Sequence, residues 1–203
     1  MVFEEFLTRE EINKTVKWLK SLQSTDGGFS DNKEQLSTLS CTYYTIRALL
    51  KLNAANKVNK NKIVSYVLST KHSDGGFCDS PGGSFHPQYA VYAIFLLKEF
   101  NALDSINNLD SKNLINNLLI LQREDGGFSG SVEDYSNIIF TYYAIRPLFL
   151  LNALHNINKS KLPEFLKSIK ITNGGFSNYP QGKSSALETK HILFILDEIA
   201  LIA

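Results

Sequence analysis

The side chains here best suited to binding chemistry are two tyrosine–arginine pairs, one histidine and one loop lysine. Tyr43 and Arg47 stand four residues apart, and Tyr142 and Arg146 repeat the pair. On a helix this spacing puts ring and guanidinium on one face. Tyr44 and Tyr143 follow one position on. A cavity walled by such rings, with two arginines along it, would be an amphipathic slot. Because the pairs recur in register, a structural repeat consensus accounts for them equally well. His86-x-x-Tyr89 adds an imidazole and a phenol, and Lys183 lies in the loop Pro180-Gln181-Gly182-Lys183-Ser184. His86 precedes Pro87 and equally suits capping a helix, while a loop lysine equally suits solvent. Cys41, Cys78, Asp79 and His86 are of metal-binding types. The two cysteines nonetheless form no disulfide framework and no paired zinc spacing, and Cys41 equally suits a small core thiol. No catalytic residue is assigned.

The elements that must position these groups are organised by one tetrapeptide. Asp26-Gly27-Gly28-Phe29 returns as Asp74-Gly75-Gly76-Phe77, Asp125-Gly126-Gly127-Phe128 and Asn173-Gly174-Gly175-Phe176, at spacings of 48, 51 and 48 residues. Asp or Asn bonds its own following backbone, glycine reaches left-handed angles, and Phe anchors the corner. The motif reads as a helix-to-helix turn with an apolar plug. Before each corner lies a one-sided amphipathic helix. The first opens on a capping box from Thr8 to Glu11 and carries Ile12, Val16, Leu19 and Leu22; the others run over Lys60 to Thr70, Ser111 to Gln122 and Lys161 to Lys170. After each corner comes a helix apolar on more than one side: Leu36 to Leu52, Gln88 to Phe100, Ile138 to Leu154 and Leu187 to Ile202. The expectation is all-α: eight helices in four hairpins forming one domain over residues 1–203, apolar helices inside.

Composition narrows the function classes. With 43% hydrophobic and 20% charged residues and a formal net charge of +1, the chain is ordinary globular material. No global electrostatic argument points to nucleic acid or an anionic membrane. The start, Met1 to Phe6, carries acid where a signal peptide needs base, and the longest apolar run, Tyr89 to Leu97, is too short for a membrane span. A cytoplasmic protein with reduced thiols is expected.

The repeat and corner resemble the α/α-toroid family of protein prenyltransferase β subunits, related more distantly to squalene and hopene cyclases. Leu22-Gln23 and Leu121-Gln122 match the family's outer-helix ends, whereas the cyclases' corner Trp and clustered aspartates are missing. Pro81-Gly82 followed by His86-x-x-Tyr89 is similar to the segment whose histidine helps hold the lipid diphosphate. Pro180-Gln181-Gly182-Lys183-Ser184 resembles Pro-Gly-Lys-Ser with one insertion, its lysine also facing the diphosphate. The resemblance therefore implies binding of an isoprenoid diphosphate by His86, Tyr89 and Lys183 beside Tyr43, Arg47, Tyr142 and Arg146, and transfer of its prenyl group to a protein.

The resemblance also implies a catalytic zinc held by Asp, Cys and His. The nearest positions here are Asn137 or Ile138, Ile139 or Phe140, and Thr189, with His191 near the last; none forms that ligand set. Without zinc the acceptor thiolate loses its stabilisation, which leaves a non-catalytic interaction scaffold as the alternative. Relatives close the ring with about six hairpins, so four imply an open arc, completed by a helical α subunit or a second copy, or a tighter closure.

Overall fold

The computed structural model describes residues 7–200; the acidic stretch over residues 1–6 and the helix end expected at Ile202 lie outside them. Among the described residues eight α-helices form four hairpins. The outer members are α1 (Arg9–Ser21), α3 (Lys60–Ser69), α5 (Asn108–Leu119) and α7 (Leu162–Ser168). The inner members are α2 (Leu39–Lys51), α4 (Pro87–Glu99), α6 (Ile138–Leu150) and α8 (Ala186–Ala200). Consecutive inner helices pack side by side, α2 on α4, α4 on α6 and α6 on α8, and α1, α3 and α5 each back their own inner helix. The inner helices are the more deeply buried layer, as their all-round apolar sequences require.

Helix ends are set by local chemistry. Thr8 and Glu11 form the expected capping box on α1. α2 starts three residues later than its apolar pattern, because the Thr38 hydroxyl accepts from the Cys41 amide and leaves Leu36 in solvent. α5 starts earlier than expected, at an Asn107 cap. α2, α4 and α6 stop where Asn53, Asn101 and Asn152 adopt φ of 52°, 53° and 56°. The amides of Ala54, Ala102 and Ala153 then reach back to Leu49, Leu97 and Leu148 at 2.7–2.8 Å. Asparagine is the side chain that best tolerates this left-handed C-terminal stop. Three short 3-10 turns, beginning at Ala55, Leu103 and Leu154, follow.

Each corner closes the same way. Amides of Ser24, His72, Arg123 and Ile171 donate to the carbonyls of Gly28, Gly76, Gly127 and Gly175 at 2.8–2.9 Å. Phe29, Phe77 and Phe128 are fully buried. Thr42, Thr141 and Thr189 accept from the amides of Phe29, Phe128 and Phe176, which fixes one register for inner helix and corner. In the fourth hairpin this pairing lengthens into a two-residue antiparallel ribbon, β1 (Phe176–Ser177) with β2 (Ser184–Ser185), the one addition to an otherwise helical fold among the described residues.

Corners also join one hairpin to the next. A Cβ on Gly27, Gly75 or Gly126 would lie within 3.0 Å of Lys62, Asn113 or Lys161, at the following outer helix. Gly28 and Gly127 similarly seat the rings of Tyr66 and Phe165. In return, the loop after the second corner caps α2, where Asp79 accepts from the Ser40 amide at 2.8 Å, and Asn178 accepts from the Ile138 amide at 2.9 Å. Each hairpin therefore buries its neighbour's polar ends as well as its apolar face.

Candidate functional site

Parallel inner helices place their rings in one belt. Tyr43 on α2 stacks on Tyr92 of α4 with centroids 4.2 Å apart, and Tyr142 on α6 stacks on His191 of α8 at 4.6 Å. Between these stacks, Tyr92 meets Tyr89 at 6.3 Å and Tyr89 meets His86 at 5.6 Å. His86 touches Phe140 at 5.5 Å and Tyr143 at 6.3 Å, and Tyr143 meets Tyr142 at 5.9 Å. The run is unbroken across all four inner helices. Edge-to-face and offset contacts of this kind favour a polarisable, apolar surface.

His86 and Tyr89 are brought together, with Phe140 and Tyr143 from the next hairpin. The His86 imidazole also caps α4: its Nδ1 accepts from the Gln88 amide at 3.2 Å, so the neutral ring carries its proton on Nε2. Burial lowers its pKa, which keeps it uncharged at neutral pH. Tyr43 is covered by Tyr92, Tyr44 and Phe95 rather than lining open space. Its hydroxyl accepts from Arg47 at 2.9 Å, and the guanidinium stands exposed 5.5 Å from the ring centroid. Arg146, the register equivalent of Arg47, is instead tied to the Glu198 carboxylate. Lys183 is exposed on the loop entering β2, two residues before the fourth hairpin's counterpart of His86, and forms no hydrogen bond or ion pair among the described residues.

Three belt members were not singled out by the sequence: Tyr92, Phe140 as a ring against His86, and His191 as a stacking partner. Tyr44, Tyr92, Tyr143 and His191 each lie sixteen residues past the second corner glycine. Alignment of the four copies on that glycine exposes the column.

Zinc does not fit at the positions the resemblance indicates. The Asn137 side chain caps α6, Thr189 accepts from the Phe176 amide, and Ile138, Ile139 and Phe140 offer no donor. The alternative set is not assembled either. The Cys78 thiol donates to the Gly83 carbonyl at 2.9 Å, Cys41 turns to Asp31, and Asp79 caps α2. Among the described residues no three His, Cys, Asp or Glu side chains gather as metal ligands.

His191 gives the belt a measurable pH response. The ring is buried with Nδ1 unpartnered, and burial, reinforced by Lys190 and opposed by Glu188, lowers its pKa. Unfolded histidine binds a proton near pH 6.5, before the folded ring does, so the stability present above that pH drains as pH falls through the folded value. His86 acts in the same sense, whereas Glu198, its carboxyl raised by burial, acts oppositely. Comparing wild type with His191→Phe between about pH 7.5 and about pH 5.5 therefore isolates the ring. The variant is expected to lose less melting temperature on acidification, and an unchanged slope would refute the assignment.

A family model described as the prenyltransferase alpha-alpha toroid domain matches residues 2–86 and 83–195. Protein farnesyltransferase subunit beta of Arabidopsis thaliana is 31% identical over 86 residues, 38% of this chain and 18% of the relative. A solved Candida albicans protein geranylgeranyltransferase-I, complexed with GGPP, matches with a TM-score of 0.79 at 18% identity, over 97% of this chain and 62% of that one. At that identity the likeness carries the fold alone. The chain spans less than two thirds of the length of either relative. Among the described residues no helix is long and apolar enough to cross a membrane.

Proposed function

The chain belongs to the prenyltransferase alpha-alpha toroid family, and from that premise we propose that its inner aromatic belt binds an isoprenoid diphosphate. The observation that carries the reading is the unbroken ring run from Tyr43 to His191. His86, Tyr89, Phe140, Tyr142 and Tyr143 would flank the prenyl chain. Arg47, exposed and bonded to the Tyr43 hydroxyl rather than to a carboxylate, and Lys183 would meet the diphosphate, a cation's natural partner. Arg146 would act at one remove, by holding α8 against α6 through Glu198. The geometry supports binding better than transfer, because the zinc positions are occupied by capping and apolar side chains. That same observation favours a second reading, an interaction scaffold without catalysis. An all-helical second subunit remains part of the first reading through the family resemblance.

Titration with farnesyl and geranylgeranyl diphosphate, followed by tyrosine fluorescence and calorimetry, is expected to show saturable binding. Tyr143→Ala should weaken it roughly 3–10-fold, the worth of one ring contact. Lys183→Ala should weaken it roughly 2–5-fold, less at high salt. Absence of saturation, or affinities indifferent to both substitutions, would reject the ligand and leave the scaffold.

A further inference from the structure

The two ends of the arc are halves of the same joint. Within the chain, each hairpin covers two apolar positions of the inner helix before it. Eighteen residues past the second corner glycine stand Ile46, Ile94 and Ile145, and twenty-one past it Leu49, Leu97 and Leu148; all six are 0% exposed. Their counterparts in α8, Leu193 and Leu196, are 55% and 45% exposed. The corner repeats the contrast. Gly27, Gly75 and Gly126 abut the next outer helix, whereas a Cβ on Gly174 would meet nothing within 4 Å. The α7–α8 edge thus presents a vacant seat, extended by an apolar groove of about 290 Å³ lined by Leu162, Leu166, Phe176, Ile192 and Leu196.

The opposite edge presents the knob. Ten residues before the second corner glycine stand Tyr66 and Phe165, the rings seated on the Gly28 and Gly127 corners; they are 2% and 1% exposed. The same position in the first hairpin is Trp18, 57% exposed on α1. Tyr44 on α2, in the same column as the buried Tyr92 and His191, is likewise exposed. The outer edges of the first and fourth described hairpins thus keep the apolar residues of an internal joint.

We infer that the α7–α8 edge of one copy receives the α1–α2 edge of a second copy, Trp18 seating against the Gly174-Gly175 corner and α2 covering Leu193 and Leu196. A second copy is the occupant because the vacant seat and the exposed knob belong to one repeat and match in register. The contact is head-to-tail, so every copy offers both halves and association can continue beyond two copies. It involves the outer edges of the arc and is independent of any lipid on the belt.

Trp18 is the sole tryptophan of the chain and reports its own burial. As concentration rises from about 1 µM to about 100 µM, mass by sedimentation is expected to climb above that of one chain. Trp18 emission should shift to the blue over the same range. Trp18→Glu and the double variant Leu193→Glu/Leu196→Glu each remove one half of the joint at a partly exposed position. Each alone should stay one chain in mass with unchanged helical circular dichroism. Mixed, they should form a two-chain species, because each supplies the half that the other lacks. One-chain mass and constant emission at all concentrations in wild type would overturn the inference. So would association that survives either variant alone, or a mixture of the two folded variants that stays monomeric.

Discussion

Gly126→Ala is expected to destabilise the protein by about 3–5 kcal/mol, whereas Gly174→Ala costs only about 1–2 kcal/mol. The two glycines hold nearly the same backbone angle, φ of 92° and 91°, so the intrinsic strain of a side chain is common to both. Their surroundings separate them. A Cβ on Gly126 would lie within 3.0 Å of the Lys161 and Leu162 backbone at the start of α7. Backbone cannot swing aside as a side-chain tip can, so α7 would have to back away. Phe165, seated on the adjacent Gly127, would leave with it. Nothing lies within 4 Å at Gly174. Urea denaturation of both variants at low protein concentration, where copies are separate, measures the difference. In thermal melts Gly126→Ala should fall by roughly 10 °C. Equal losses would show that corners do not seat the following hairpin.

This joint explains what the sequence disclosed and what it withheld. The corners were legible because their chemistry is local: an Asx side chain, a left-handed glycine and a Phe plug are all set within four residues. The two helix types were legible because burial on one side or on several leaves its period in the sequence. Boundaries were less so. Leu36 extends the apolar pattern of α2 yet lies in solvent, since Thr38 two residues on offers the better cap. The end of α6 fell at Leu150 rather than Leu154 because Asn152 takes the left-handed angle. The hydrophobic period carries no sign of that stop, which lies in the conformation of one asparagine.

The site was half legible, for a different reason. His86 and Tyr89 share a helix turn and were found as a pair. Phe140 and Tyr143, which complete their cluster, come from the next hairpin, over fifty residues away in sequence. Arg47 and Arg146 looked alike as i,i+4 partners of tyrosine. Only folding tells them apart, because the group that engages Arg146 is Glu198 of the following inner helix. Glu99 occupies the position in α4 equivalent to Glu198, but it is exposed, and Arg47 bonds Tyr43 instead. Identical register therefore yields one closed ion pair and one exposed cation.

Arg146→Ala is accordingly expected to cost about 3–5 kcal/mol, because it leaves the Glu198 carboxylate buried without its partner. The Glu198 side chain is 4% exposed, and its Oε2 already lacks a hydrogen bond. Burial raises its pKa, opposed mainly by Arg146, so removal of the guanidinium raises it further. A carboxyl whose folded pKa exceeds the unfolded value favours the folded state at low pH and loses that contribution as pH rises. The deficit of Arg146→Ala should therefore be largest near about pH 7 and shrink toward about pH 5, as Glu198 takes up a proton. Arg146→Met/Glu198→Leu removes both charges and keeps apolar volume between α6 and α8, so it should lie within about 1–2 kcal/mol of wild type. Urea midpoints at the two pH values, for the single and double variants, decide the matter. A single variant within about 1 kcal/mol of wild type, or a double variant worse than the single, would mean that packing rather than the ion pair holds α8 in place. Arg146 would then be a second cation available to the belt, and the division of roles between it and Arg47 would fail.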